Sequence, residues 1–371
     1  MTQGYTFLEF FAGGGMARLG LGPRWRCLFA NDVDPLKRAA YGANFGLRHH
    51  REGDVHALGA GDLPLERPDL AWASSPCQDL SLAGARGGLG AARSGAFFGF
   101  WRLMEALDDE GRAPRLVVIE NVTGLLTSRG GADFAGLAAR LAARGYFISA
   151  TILNAADFVP QSRPRLFIIG AREDRIGAAV RSGPAPEALV RAAALLPPQA
   201  KARWRWISAR PTPSRTATLA DILEAGPAFD PPSRTRALLA AMAPAQAAAI
   251  AALRRSGERG IGAGFRRVRV EAGVKKVRFE ARFDGLAGCI RTPAGGSSRQ
   301  IILEIDKGRV RTRLMSAREA ARAMGLPDDY SLPASATAAL KLVGDGVSPA
   351  VVRWLAETLL EPALLRNRAA A

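Results

Sequence analysis

Cys77 lies in Ser75-Pro76-Cys77-Gln78, directly after the apolar run Leu70-Ala71-Trp72-Ala73. A second apolar run, Leu116-Val117-Val118-Ile119, ends in Glu120-Asn121-Val122. A third element, Gln161-Ser162-Arg163-Pro164-Arg165, leads into Leu166-Phe167-Ile168-Ile169. A thiol, a carboxyl and two guanidinium groups thus stand beside short buried-strand signals, where α/β folds place their chemistry. The set suits covalent catalysis on an electron-poor substrate held by basic side chains. A free thiol has a pKa of about 8.5, so a nucleophilic Cys77 needs activation by its site. The bland alternative is an inert buried thiol.

A second group of residues reads as a cofactor site. The first apolar run enters Ala12-Gly13-Gly14-Gly15, a turn where backbone N–H groups can approach a ligand closely. By itself this is only a tight turn. The next strand signal ends at Asn31-Asp32-Val33-Asp34, where an acid can take ribose hydroxyls, and Gly53-Asp54-Val55 follows. Three such loops in order suggest an adenosine-containing cofactor. There is no Gly-Lys-Ser/Thr, so the turn is not a phosphate-binding P-loop.

The elements that must position these groups are candidate strands at Thr6–Phe11, Cys27–Ala30, Leu70–Ala73, Leu116–Ile119, Phe147–Leu153 and Leu166–Gly170. Their continuous apolar character predicts a buried, mostly parallel sheet, with the last two strands antiparallel across a short loop. Phe97, Trp101, Met104 and Leu107 recur at helical spacing, which predicts a helix on one sheet face. After Ala171 many prolines break the pattern, and residues 171–315 read as a separate basic region. Helix signals are weak there except around Ala245–Leu253. Ser316–Leu326 and Pro349–Leu360 read as helical again.

The chain of 371 residues is long enough for one large domain and a smaller one. No apolar run reaches membrane-spanning length, and Met1-Thr2-Gln3-Gly4-Tyr5 does not begin a signal peptide. A cytoplasmic protein without membrane contact is expected. Cys27, Cys77 and Cys289 form no C-x-x-C pair, and His49, His50 and His56 read as surface or loop residues, so no metal site is expected. Net charge is +17, and residues 201–313 carry 23 Lys and Arg against 9 Asp and Glu. That uneven concentration favours a polyanion partner over a merely solvated face.

The ordered motifs resemble those of the DNA (cytosine-5)-methyltransferases of prokaryotic type. They are Phe11-Ala12-Gly13-Gly14-Gly15, Pro76-Cys77-Gln78, Glu120-Asn121-Val122, Gln161 to Arg165, Gly295 to Gln300, Arg318-Glu319 and Gly344-Asp345-Gly346-Val347. The resemblance spans nearly the whole chain except about 175–265. It implies an α/β fold, a class I S-adenosylmethionine-dependent methyltransferase sheet, with a smaller target-recognition domain. Catalytic and cofactor-binding segments are then expected at 1–170 and 316–371, and target recognition at 171–315. It implies S-adenosyl-L-methionine as methyl donor, S-adenosyl-L-homocysteine as product and double-stranded DNA as substrate.

The resemblance also implies roles. Cys77 attacks C6 of a flipped-out cytosine, Glu120 holds or protonates N3, and Arg163 and Arg165 add positive charge near the base or its phosphates. Phe11, Gly13, Gly15, Asp32, Val33, Asp54, Pro76 and Asp345 fall at cofactor positions. Asp32 takes the ribose hydroxyls and Asp54 the adenine amine. Gln78, Ser81, Arg93, Gln161 and Arg299 are expected on the DNA side. The glycine-rich stretch after Ser81 suits a lid over the base. Three residues depart from the family pattern: Asp32 for Glu, Glu9 for Asp, and Asp345 for Asn. Asp345 adds charge and lacks amide donors, which bears on DNA handling more than on the chemical step.

The rival readings are a cytosine-5 RNA methyltransferase and a catalytically weak DNA-binding protein on the same fold. The chain has no Cys-Phe-Thr tripeptide of the RNA enzymes. A monomer is expected, either solitary or paired with a cognate restriction endonuclease in a restriction–modification system.

Overall fold

The computed structural model describes residues 4–75, 95–174, 185–207, 211–226, 228–271, 273–292 and 299–365. Pro76, Cys77, Gln78, Ser81 and Arg93 lie outside the described residues, as do Gly295 to Ser298.

The chain opens with β1 (Tyr5–Phe10), α1 (Met16–Leu21), β2 (Trp25–Asp32), α2 (Pro35–Phe45) and β3 (His50–Glu52). There follow β4 (Leu70–Ala73), α3 (Ala96–Asp109), β5 (Leu116–Asn121), α4 (Ala132–Ala143), β6 (Phe147–Asn154) and β7 (Pro164–Ala171). These strands build one seven-stranded sheet in the order β3-β2-β1-β4-β5-β7-β6. Pairing is parallel from β3 through β5, and β7 runs antiparallel to β5. All residues of β1, β4 and β5 are buried, as expected for strands covered on both faces.

Alternation sorts the side chains. Leu8 and Phe10 of β1, Ala71 and Ala73 of β4, and Val117 and Ile119 of β5 share one face. There they pack on Phe97, Phe100, Trp101 and Met104 of α3 and on Phe134, Leu137 and Leu141 of α4. The helix read from the Phe97–Leu107 spacing is therefore present, and its aromatic stripe is core. β3 had no apolar signal because it is a three-residue polar edge. His50, expected on the surface or in a loop, lies on this strand, its ring edge-on to Tyr41 at a centroid distance of 4.8 Å.

Beyond β7 come α5 (Glu187–Ala194), α6 (Pro198–Arg203), α7 (Pro232–Ala240) and α8 (Pro244–Ser256). Three of these four helices correct the weak-helix reading of this region; only α8 was expected. Pro198, Pro232 and Pro244 stand in the first helical turn, where a missing N–H costs nothing. Then β8 (Gly260–Glu271), β9 (Val274–Arg282), β10 (Ile301–Asp306) and β11 (Arg309–Leu314) form an antiparallel sheet in the order β11-β10-β8-β9. Phe279, Ile301, Leu303 and Ile305 pack with Leu238, Met242 and Ile250 in its core. α9 (Ala317–Met324) and α10 (Ala336–Asp345) follow. Ser316 caps α9 in a reciprocal box with Glu319, whose carboxylate also takes both Nη groups of Arg313 at 2.7 and 2.6 Å.

The tail, α11 (Pro349–Leu355), a π turn and α12 (Glu361–Leu365), belongs with the first sheet. Gly20 of α1 lets α11 approach closely, since a Cβ there would meet Val352 Cβ at 2.5 Å. Two compact units result: one of residues 1–153, 164–212 and 349–371, the other of 154–163 and 213–348. In these contact units 171–212 lies with the first sheet and 316–348 with the second.

Candidate active site

Of the cofactor candidates, Phe11, Gly13, Gly15, Asp32, Val33 and Asp54 lie at the carboxyl ends of β1, β2 and β3. Phe11 leaves β1 with a left-handed backbone (φ 57), and Gly13 and Gly15 continue the turn at φ 56 and 77. A side chain at Gly15 would strike the rings of Phe45 and Tyr41, so this turn needs glycine for space as well as for backbone angle. Asp32, buried at the end of β2, accepts Gly13 N at 2.8 Å through Oδ2 and Asp34 N at 2.9 Å through Oδ1. Each carboxylate oxygen has a second lone pair, which leaves Asp32 able to take a diol. Asn31 donates to the carbonyls of Arg51 and Gly53, both at 3.0 Å, and so holds the loop that carries exposed Asp54. Val33 is 66% exposed, an apolar platform beside the two acids.

A buried polar cluster underlies this turn, and the motif reading did not identify it. Glu9 Oε1 accepts Arg18 N at 3.3 Å, while Oε2 is buried with no hydrogen-bond partner among the described residues. Arg18 Nη1 donates to Tyr41 Oη at 2.9 Å, and Cys27 Sγ lies 3.7 Å from the same oxygen. Burial pushes the Glu9 carboxyl up to about 8, against the backbone N–H and charge of Arg18 and with the help of Asp32. Burial likewise pushes the Cys27 thiol up to about 11, so Cys27 is an inert core thiol.

Of the catalytic candidates, Glu120 stands near the end of β5 and Arg165 at the start of β7. Glu120 pairs across the sheet with Phe167, which puts it diagonal to Arg165 on the same face. Arg165 Nε lies 3.1 Å from Glu120 Oε1, and both side chains are largely buried. The next residue, Asn121, donates through Nδ2 to Ser75 O at 3.0 Å and accepts Val122 N at 2.8 Å. Asn121 thereby ties the end of β5 to the last described residue before Pro76-Cys77. Its part in the Glu-Asn-Val motif was not foreseen as a separate role.

Gln161 and Arg163 belong to the second compact unit. Gln161 is fully buried, donating to Ala323 O at 3.2 Å and accepting Ile290 N at 3.0 Å. Arg163 is 3% exposed and donates to the carbonyls of Ile290, Gly344 and Gly346 at 2.8, 2.9 and 2.7 Å. In this structure both side chains bind backbone inside their own unit. Asp345, exposed at the end of α10, accepts the Thr292 hydroxyl. Arg299 Nε is buried without a hydrogen-bond partner among the described residues.

A model of the C-5 cytosine-specific DNA methylases matches residues 5–361. The chain belongs to that family. Similarity to the Type II methyltransferase M.HpaII of Haemophilus parainfluenzae is 27% identity, over 97% of this chain and 90% of that protein. M.BsuFI of Bacillus subtilis is 32% identical over 171 residues, 46% of this chain and 40% of that protein. M.NgoBI of Neisseria gonorrhoeae is 31% identical over 45% of this chain and 50% of its own length. With these last two relatives the match thus spans half of their length or less. Among solved structures, the Entamoeba histolytica methyltransferase EhMeth superposes at a TM-score of 0.63 with 14% identity, covering 97% of this chain and 99% of that one. S. pombe Dnmt2 gives 0.61 with 17% identity over 96% and 99%. At such identities the superpositions establish the fold, a class I methyltransferase sheet. Among the described residues of this family member, no helix is long and apolar enough to cross a membrane.

Proposed function

We propose that the protein transfers a methyl group from S-adenosyl-L-methionine to C5 of cytosine in double-stranded DNA. The observation that carries this reading is the Glu120–Arg165 pair, on the strand end that Asn121 ties to the start of the Pro76-Cys77 segment. The cofactor residues fit the donor. Asp32 keeps free lone pairs for the ribose diol, Asp54 is exposed for the adenine amine, and Val33 offers an apolar face. When bound, the donor supplies an electrophilic methyl group.

In this reading the Cys77 thiolate adds to C6 of a base rotated out of the duplex, forming an S–C6 bond and making C5 electron-rich. Glu120 holds the base at N3, and Arg165 fixes the direction of that carboxyl. C5 takes the methyl group. Loss of the C5 proton to a base then restores the double bond, and the S–C6 bond breaks. Arg163 serves as a positioning residue, fastening Gly344 and Gly346 on either side of Asp345. Unmethylated duplex DNA incubated with labelled donor and read by conversion sequencing tests the proposal, with Cys77→Ala as control. Methylcytosine in one short context, absent from the control, supports it. Methyl transfer to RNA alone, or to neither, overturns it.

A further inference from the structure

The strands β8 and β9 continue well past the sheet that they join. β10 pairs with β8 only over Gly260–Gly264, whereas β8 and β9 stay paired out to Glu271 and Val274. Beyond the Arg266–Phe279 pair the ribbon has two strands and no cover on either face among the described residues, and Arg266 through Val270 are all exposed. Six residues of strand extend about 20 Å. Near its root, Phe279 is fully buried and its backbone N–H is taken by Ala241 O at 3.1 Å. The distal part has no such anchor among the described residues.

The register sorts the ribbon into two unlike faces. Arg267 opposes Arg278 and Arg269 opposes Lys276, with Glu271 and Glu280 on the same side. On this face four cations share two acids: Arg269 reaches Glu280 at 2.5 Å, Arg278 reaches Glu271 at 2.7 Å, and Arg267 and Lys276 lie 3.7 and 3.6 Å from the same two acids. The other face carries Arg266, Val268, Val270, Lys275 and Val277. Its valines are 55–67% exposed. Arg266 and Lys275 have no ion-pair partner among the described residues.

We propose that the ribbon enters a groove of duplex DNA with the Arg266–Val268–Val270–Lys275–Val277 face toward the nucleic acid. This rests on the reading of DNA as substrate and adds the element and the face that bind it. A major groove about 12 Å wide admits a two-stranded ribbon, and apolar side chains there meet thymine methyl groups. Cations flanking an apolar strip match phosphates flanking base edges. A second copy of the chain fits poorly, because pairing of the β9 edge with itself would bring Lys275, Lys276 and Arg278 close to like charges.

The test uses the full chain and a duplex containing the context that the wild type methylates. Affinity is measured against salt for Arg266→Ala/Lys275→Ala and for Arg267→Ala/Lys276→Ala. The second pair leaves the Arg269–Glu280 and Arg278–Glu271 bonds intact. The first variant should lose about 1.8 from the slope of log affinity against log salt, two contacts at about 0.9 each, and the second under about 0.5. Val268→Thr/Val277→Thr, which preserves shape and strand preference, should weaken binding about threefold to tenfold with the slope unchanged. Equal slope changes for the two faces, or none for either, would overturn the assignment. So would a wild-type dimer that the threonine variant dissociates. Methylation by the wild type keeps these failures separate from a failure of the DNA reading, in which no DNA is methylated at all.

Discussion

Arg165 Nε stands 3.1 Å from Glu120 Oε1, across adjacent antiparallel strands. The diagonal register of β5 and β7 brings these two side chains together on one face of the sheet. Glu120→Gln should lower single-turnover methyl transfer about 10²-fold or more while donor affinity stays unchanged. Arg165→Ala should cost about 10²-fold, because the carboxyl loses the group that aims it. Rapid-quench transfer and donor titration check both; a change in donor affinity alone would contradict the assigned roles.

Arg163 is a different case. Its guanidinium serves three buried carbonyls, and truncation leaves them unpaired. Arg163→Ala should destabilise the second unit by about 3 kcal/mol. Arg163→Lys should recover only part, since one ammonium cannot match the planar fork. Chemical denaturation gives the size of the loss, and hydrogen exchange at Gly344 and Gly346 gives its location.

Asp32 closes the cofactor turn by holding Gly13 N and Asp34 N. Asp32→Ala should raise the Kd for S-adenosyl-L-methionine about 10- to 100-fold, the cost of about 1.5–3 kcal/mol of charge-assisted bonding. Calorimetry without DNA measures it directly. An unchanged Kd would remove Asp32 from the site.

Glu9 gives a pH dependence whose sign follows from its raised pKa. The ordinary value is 4.5 and the buried group titrates at about 8. Between these the folded chain keeps a proton that the unfolded chain has released, so stability is lost as pH rises. The decline is about 1.4 kcal/mol per pH unit and ends above about pH 8. Arg18, Tyr41, Cys27 and Asp32 surround the group, and of these only Asp32 adds to the shift. Glu9→Gln should flatten the wild-type decline in urea unfolding between pH 5 and pH 8; parallel profiles would show that Glu9 is not buried and neutral.

Asp345 accepts the Thr292 hydroxyl, a role that an amide oxygen can also fill. Asp345→Asn should therefore keep the fold and, by removing a surface negative charge, tighten DNA binding several-fold at low salt. Unchanged DNA affinity and turnover would show that the charge does not matter.

The sequence alone determined six of the seven strands of the first sheet, the aromatic core helix and the order of the chemical groups, but none of β8 to β11. Continuous apolar runs and a 3.6-residue repeat are local signals, and the motifs adjoin them. It did not reveal β3, a short polar edge strand, or α5, α6 and α7 in their proline-rich surroundings, where Pro186 precedes α5 and Pro198 and Pro232 open α6 and α7. Only the tertiary structure separated Arg163 from Arg165. Two residues apart, they look equivalent in sequence, yet one guanidinium is taken up by three carbonyls and the other by a carboxylate. The cluster of Glu9, Arg18, Cys27 and Tyr41 joins residues far apart in the chain, and the unlike faces of the β8–β9 ribbon depend on cross-strand register. Composition gave that ribbon its charge; pairing decided which cations share Glu271 and Glu280 and which stand on the valine face.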